Sequence, residues 1–85
     1  MKVQAEISLY PLRQSSLNKP IQRFIESLQA NNLNVKTGSM STFVTGESPT
    51  FFQNLQKAFE ETAKQYSVVL TVKISNVCPE MSNDK

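Results

Sequence analysis

An α+β sandwich, with one four-stranded antiparallel sheet carrying two helices on one face, is predicted by three features of the 85-residue sequence. Segments near its two ends alternate apolar and polar residues. Two interior segments repeat apolar residues at helical spacing, each with an early proline, and a Gly-Ser pair separates two short β-rich runs between them. One core is expected, because so short a chain buries too little surface to divide between two. Residues 1–76 are read as that single domain and 77–85 as a polar tail.

Along the first segment, Lys2 to Tyr10, the residues Val3, Ala5, Ile7 and Leu9 fall on one side and Gln4, Glu6, Ser8 and Tyr10 on the other. Period two over this length predicts a strand, and Pro11, which cannot donate to a ladder, is expected to end it. Asn18 can cap a helix that tolerates Pro20 in its first turn. Ile21, Phe24, Ile25 and Leu28 give that helix one apolar stripe, with Asn31 and Asn32 as its expected terminators. Leu33 to Thr37 is predicted as the second strand, and Gly38-Ser39 as the turn into a third from about Met40 to Thr45. Phe43 and Val44 lie on opposite faces of that third strand, which suggests cover on both sides.

Gly46-Glu47-Ser48-Pro49 predicts a helix start, with Ser48 as cap and Pro49 at the first helical position. Phe52, Leu55, Phe59, Ala63 and Tyr66 follow at helical spacing, and Phe51, Phe52 and Phe59 are assigned to the core. The last strand, Ser67 to Ser75, turns Val68, Leu70, Val72 and Ile74 to one face and Val69, Thr71 and Lys73 to the other. Strand, helix, strand, strand, helix, strand is the ferredoxin-like βαββαβ order. Two right-handed crossovers then give an antiparallel sheet in the order 4-1-3-2, both helices on one face and the other face bare.

Composition narrows the function. The chain is 39% apolar and 19% charged, within the range of globular domains. Its net charge of +2 comes from scattered cations, with no basic run and no RNA-binding aromatic consensus, so no nucleic acid partner is expected. No apolar run approaches the roughly 20 residues that span a bilayer, no secretory leader is visible, and Cys78 is a single cysteine. A cytoplasmic location, no membrane partner and an unpaired thiol are expected. Without histidine the commonest general base, nucleophile pair and nitrogen metal ligand are missing. No catalytic residues, metal site, cofactor or enzymatic activity are therefore predicted.

The bare sheet face carries Glu6, Ser8 and Tyr10 at its centre, and it can bind a ligand or pack on another sheet. Exposed Phe43 and Val69 there favour a second subunit. The hairpin Thr37-Gly38-Ser39-Met40-Ser41-Thr42 offers hydroxyls, backbone amides and a polarizable thioether. A solvated strand face and a purely structural turn are the competing readings of these two segments.

Three stretches in order, Ala5-Glu6-Ile7-Ser8-Leu9-Tyr10-Pro11-Leu12, the hairpin Thr37 to Thr42, and Gly46-Glu47, resemble the YkoF-like thiamine-binding superfamily. The resemblance runs from about Val3 to Ile74. It implies a ferredoxin-like fold, homo-oligomers assembled through their sheets as dimers or tetramers, and binding of thiamine or hydroxymethylpyrimidine without turnover, as a carrier, buffer or sensor. Carried over by position, it points to Ser8, Tyr10, Gly38, Met40 and Thr42. It departs at Thr45, where members often have an acidic residue.

The residue types suit such a ligand. Tyr10 and Met40 offer surface for an aminopyrimidine ring, and Ser8, Thr42 and the main chain of Gly38 and Ser39 offer partners for its edge. Glu6 and the face of Tyr10 favour a cationic thiazolium, although an ion pair with Lys36 or Lys73 competes for Glu6. The expected ligand-binding set is Glu6, Ser8, Tyr10, Gly38, Ser39, Met40 and Thr42. The alternative is an oligomeric structural or regulatory module with no small-molecule ligand.

Overall fold

Alternation along the first strand, β1 (Lys2–Leu12), buries Val3, Ala5, Ile7, Leu9 and Pro11 and leaves their even-numbered neighbours wetter. The computed structural model describes residues 1–13, 15–16, 18–29, 32–38 and 41–77. After β1 come α1 (Asn18–Leu28), β2 (Asn34–Thr37), β3 (Thr42–Glu47), α2 (Ser48–Ala63) and β4 (Ser67–Ser75). The sheet is ordered β2-β3-β1-β4 and every neighbouring pair is antiparallel, which is the predicted 4-1-3-2 read from the other edge. Val3, Ala5, Ile7, Leu9 and Val44 meet Phe24 and Leu28 of α1 and Phe51 and Ala58 of α2 in one core. Both helices therefore cover the same face.

Four local expectations are corrected. Pro11 does not end β1, which continues to Leu12 and pairs Pro11 with Val68. Beyond Ile7 only β4 is paired with it, and proline is tolerated where a strand has a free side. The third strand is shifted, because Gly46 and Glu47 pair with Val3 and Lys2 and so belong to the sheet. A Cβ at Gly46 would lie 2.6 Å from Leu33 Cδ2, where the chain enters β2, so any larger residue there requires the Leu33 side chain to move. Asn32 makes that entry with φ of 60°, a conformation asparagine tolerates.

The helix cap moves as well. Glu47 is the N-cap and makes no side-chain capping bond, so Ser48 is the first helical residue rather than the cap. The Ser48 amide instead donates to the carbonyl of Met1 at 2.8 Å, and the Met1 ammonium pairs with Glu47 Oε1 at 3.1 Å. Lastly, the buried stripe of α2 is Phe51, Ala58 and Thr62, with Leu55 and Phe59 partly covered. Phe52 is 52% exposed, edge-on to Phe51 at 5.2 Å between centroids, and Ala63 is exposed. Ala58 and Thr62 are fully buried, and the Thr62 hydroxyl donates to the Ala58 carbonyl at 2.9 Å. Ile74, on the helix side of edge strand β4, is also exposed. Cys78 and the tail from 78 onward lie outside the described residues.

Candidate functional site

The two neighbours of β1 do not end together. Pairing with β3 runs from Lys2↔Glu47 to Ile7↔Thr42, whereas pairing with β4 continues from Gln4↔Ser75 to Leu12↔Ser67. From Ser8 onward, β1 therefore has no strand on its β3 side. A cavity of about 150 Å³ opens in that gap. Ile7 and Leu9 lie on its inner side, α1 contributes Ile21, Phe24 and Ile25, and the β2–β3 hairpin contributes Thr37, Gly38, Ser41 and Thr42. Ser8 and Tyr10 complete the lining from β1.

The same Ser8 and Tyr10 also border a shallower hollow of about 280 Å³ on the open face, together with Glu6, Thr71, Val72 and Lys73. These two residues thus stand at the sheet edge with one hollow on either side. The backbone there is held from β4, since Thr71 Oγ1 donates to the Ser8 carbonyl at 3.3 Å. Tyr10 is 54% exposed, its ring free to form a flat wall.

Of the expected ligand-binding set, Ser8, Tyr10, Gly38 and Thr42 border the cavity. Thr42 is buried opposite Ile7. Glu6 does not line the cavity. Its Oε2 accepts a 2.8 Å hydrogen bond from Ser41 Oγ, which does. The expected competition from Lys36 or Lys73 is not realised: Phe43 and Lys73 flank Glu6 across the sheet, yet among the described residues the ion pair formed is Met1 with Glu47. Ser39 and Met40 lie outside the described residues.

Sequence reasoning missed Ser41 and the α1 side of the cavity. Ile21, Phe24 and Ile25 carry the periodicity of a core stripe, and they are one; the gap beyond Ile7 turns part of that stripe into cavity wall. Among the described residues no group of three His, Cys, Asp or Glu could hold a metal ion, and no helix is long and apolar enough to cross a membrane.

Residues 5–77 match the thiamine-binding protein family. The chain belongs to this family. Solved structures share its architecture. A hypothetical protein of Methanocaldococcus jannascii is 27% identical with a TM-score of 0.82, covering 93% of this chain and 84% of that one. A Streptococcus pneumoniae protein is 27% identical with a TM-score of 0.83 over 99% of this chain and 94% of its own. A Thermotoga maritima protein provisionally assigned to thiamine biosynthesis or salvage is 20% identical with a TM-score of 0.84, covering 96% and 94% of the two chains. At that identity it speaks for the fold alone. No curated protein matches the chain.

Proposed function

We propose that this member of the thiamine-binding protein family binds thiamine, or its hydroxymethylpyrimidine part, reversibly and without turnover, as a cytoplasmic carrier or buffer. The observation that carries the reading is the cavity where β1 outruns β3, bordered by Ser8, Tyr10, Gly38 and Thr42. Its volume of about 150 Å³ is below the range of roughly 300–1,000 Å³ usual for whole-ligand sites and suits one ring. The pyrimidine would enter against Ile21 and Ile25 with its polar edge toward the Ser8 and Thr42 hydroxyls and the Gly38 main chain. The thiazolium would then lie against the exposed Tyr10 ring, whose face attracts a cation by about 0.5–2 kcal/mol.

We further propose that the open face pairs with a second copy, as a dimer or a tetramer. Phe43 and Val69 are 41% and 47% exposed and, with Tyr10, place apolar surface across three neighbouring strands. Cover by another sheet would also enclose the hollow beside Tyr10 and supply depth that one chain lacks.

Isothermal titration tests the ligand. Saturable heat is expected with thiamine, and Tyr10→Ala should weaken the affinity about tenfold while leaving the fold intact. Absence of heat at millimolar thiamine and hydroxymethylpyrimidine, from folded protein, would refute the reading and leave an assembly module in its place.

A further inference from the structure

Glu6 carries a charge at the centre of the open face, where the cationic partners on either side would be the obvious use for it. Lys73 is its direct cross-strand neighbour, and Lys36 lies one strand beyond Phe43 in the same row. Instead the carboxylate reaches along the sheet toward the cavity and accepts the Ser41 hydroxyl at 2.8 Å, in a partly buried position. A hydrogen bond to a carboxylate is about twice as strong as one between neutral groups.

Ser41 is the residue just before β3 begins, where pairing with β1 has stopped. Its carbonyl accepts the Gly38 amide at 2.8 Å, which closes the hairpin from the β2 side. A Cβ on Gly38 would come within 3.1 Å of that same carbonyl, tighter than most side chains accept, so the two residues are closely apposed. Gly38 and Ser41 are both cavity wall. One serine therefore joins three things: the hairpin through its carbonyl, β1 through its hydroxyl, and the cavity through its position.

We propose that Glu6 is a positioning residue that, acting through Ser41, holds Ser41 and its partner Gly38 against β1 where pairing with β3 stops, and so fixes the width of the ligand cavity. The role deepens the function proposed above and, in its ligand arm, rests on it. It differs from direct recognition of a cation in a way that ligand charge reveals. A counter-ion discriminates between cationic thiamine and neutral hydroxymethylpyrimidine; a strut does not. An amide oxygen can also replace the carboxylate as acceptor for Ser41, but not as a charge.

The test has a ligand-free and a ligand-bound arm, both on the full chain. In the absence of ligand, amide hydrogen exchange at Gly38 should accelerate about tenfold in Glu6→Ala and in Ser41→Ala, with Val44 unchanged, and Glu6→Gln should restore most of the protection. The Glu6→Ala, Ser41→Ala double variant should be no worse than either single one, because both remove the same bond. With ligand, Glu6→Ala should weaken thiamine and hydroxymethylpyrimidine by the same factor, and Glu6→Gln should recover both. Unchanged exchange at Gly38 in Glu6→Ala would overturn the proposal. So would loss of thiamine binding alone in both Glu6 variants. Failure of the wild-type protein to bind either compound would refute the function, and the exchange data would still decide the role of Glu6.

Discussion

The two faces of the sheet use the same strands for opposite ends. Under the helices, β1 and β3 turn Ile7 and Val44 into a sealed core, and on the open side their immediate neighbours Glu6 and Phe43 stand beside water. At the head of α2 the same contrast is drawn within one dipeptide, Phe51 fully buried and Phe52 half exposed. The covered face supplies stability, because burial of apolar surface is the dominant favourable term in folding. The open face leaves Phe43 and Val69 exposed and adds little to that term. The cavity sits where the two meet, at the end of β1 where strand pairing is one-sided.

That division is open to direct attack at neighbouring positions. Phe51→Ala should cost about 3–5 kcal/mol in denaturant unfolding, the usual range for truncating a buried aromatic, and leave the protein close to unfolded. Phe52→Ala, one residue on, should cost less, about 1–2 kcal/mol, since it loses an edge-to-face contact and the burial of only about half a ring. Equal losses at the two positions would mean that Phe52 is covered in solution, by a second copy or otherwise.

The pair on β3 sharpens the same point with a smaller effect on stability. Val44→Ala should destabilise by about 2 kcal/mol through lost transfer energy and a residual cavity. Phe43→Asp should leave the circular dichroism spectrum unchanged and reduce the sedimenting species to a monomer, because a carboxylate on the open face opposes sheet-to-sheet contact. A wild-type protein that already sediments as a monomer at micromolar concentration would remove the assembly from the account and leave the open face free.

The strands were legible because each of the long ones has one face covered, so alternation in the sequence maps onto burial: Val3, Ala5, Ile7 and Leu9 on β1, and Val68, Leu70 and Val72 on β4. The stripe of α2 was not, because two phases of helical spacing overlap there. Phe52, Leu55, Phe59, Ala63 and Phe51, Leu55, Ala58, Thr62 are both regular, and aromatic size favours the first. The fold selects the second, in which small Ala58 and Thr62 are fully buried beside Phe51. For the candidate site, the sequence identifies Ser8, Tyr10, Gly38 and Thr42 but not the gap that brings them together. That gap arises from the register Ile7↔Thr42, the last pair of β1 with β3, and local periodicity says nothing about where a ladder stops. Glu6 was visible as a charge, yet its partner was not: Ser41 lies far from it in sequence and carries no signal beyond being a serine beside a turn.

Thr62 gives the finest comparison between the faces, because it puts a polar group where the covered side admits almost none. Its hydroxyl donates to the Ala58 carbonyl at 2.9 Å. In an α-helix that carbonyl also receives the amide four residues on, which is Thr62's own, so losing the hydroxyl leaves no buried acceptor unpaired. Valine keeps the branched shape and adds apolar surface in place of the hydroxyl. Thr62→Val should therefore change the unfolding free energy by less than about 1 kcal/mol in either direction, the lost bond and the gained burial offsetting each other. A loss above about 2 kcal/mol would show that the hydroxyl makes a second bond or shapes the helix contact, and that the covered face depends on polar detail.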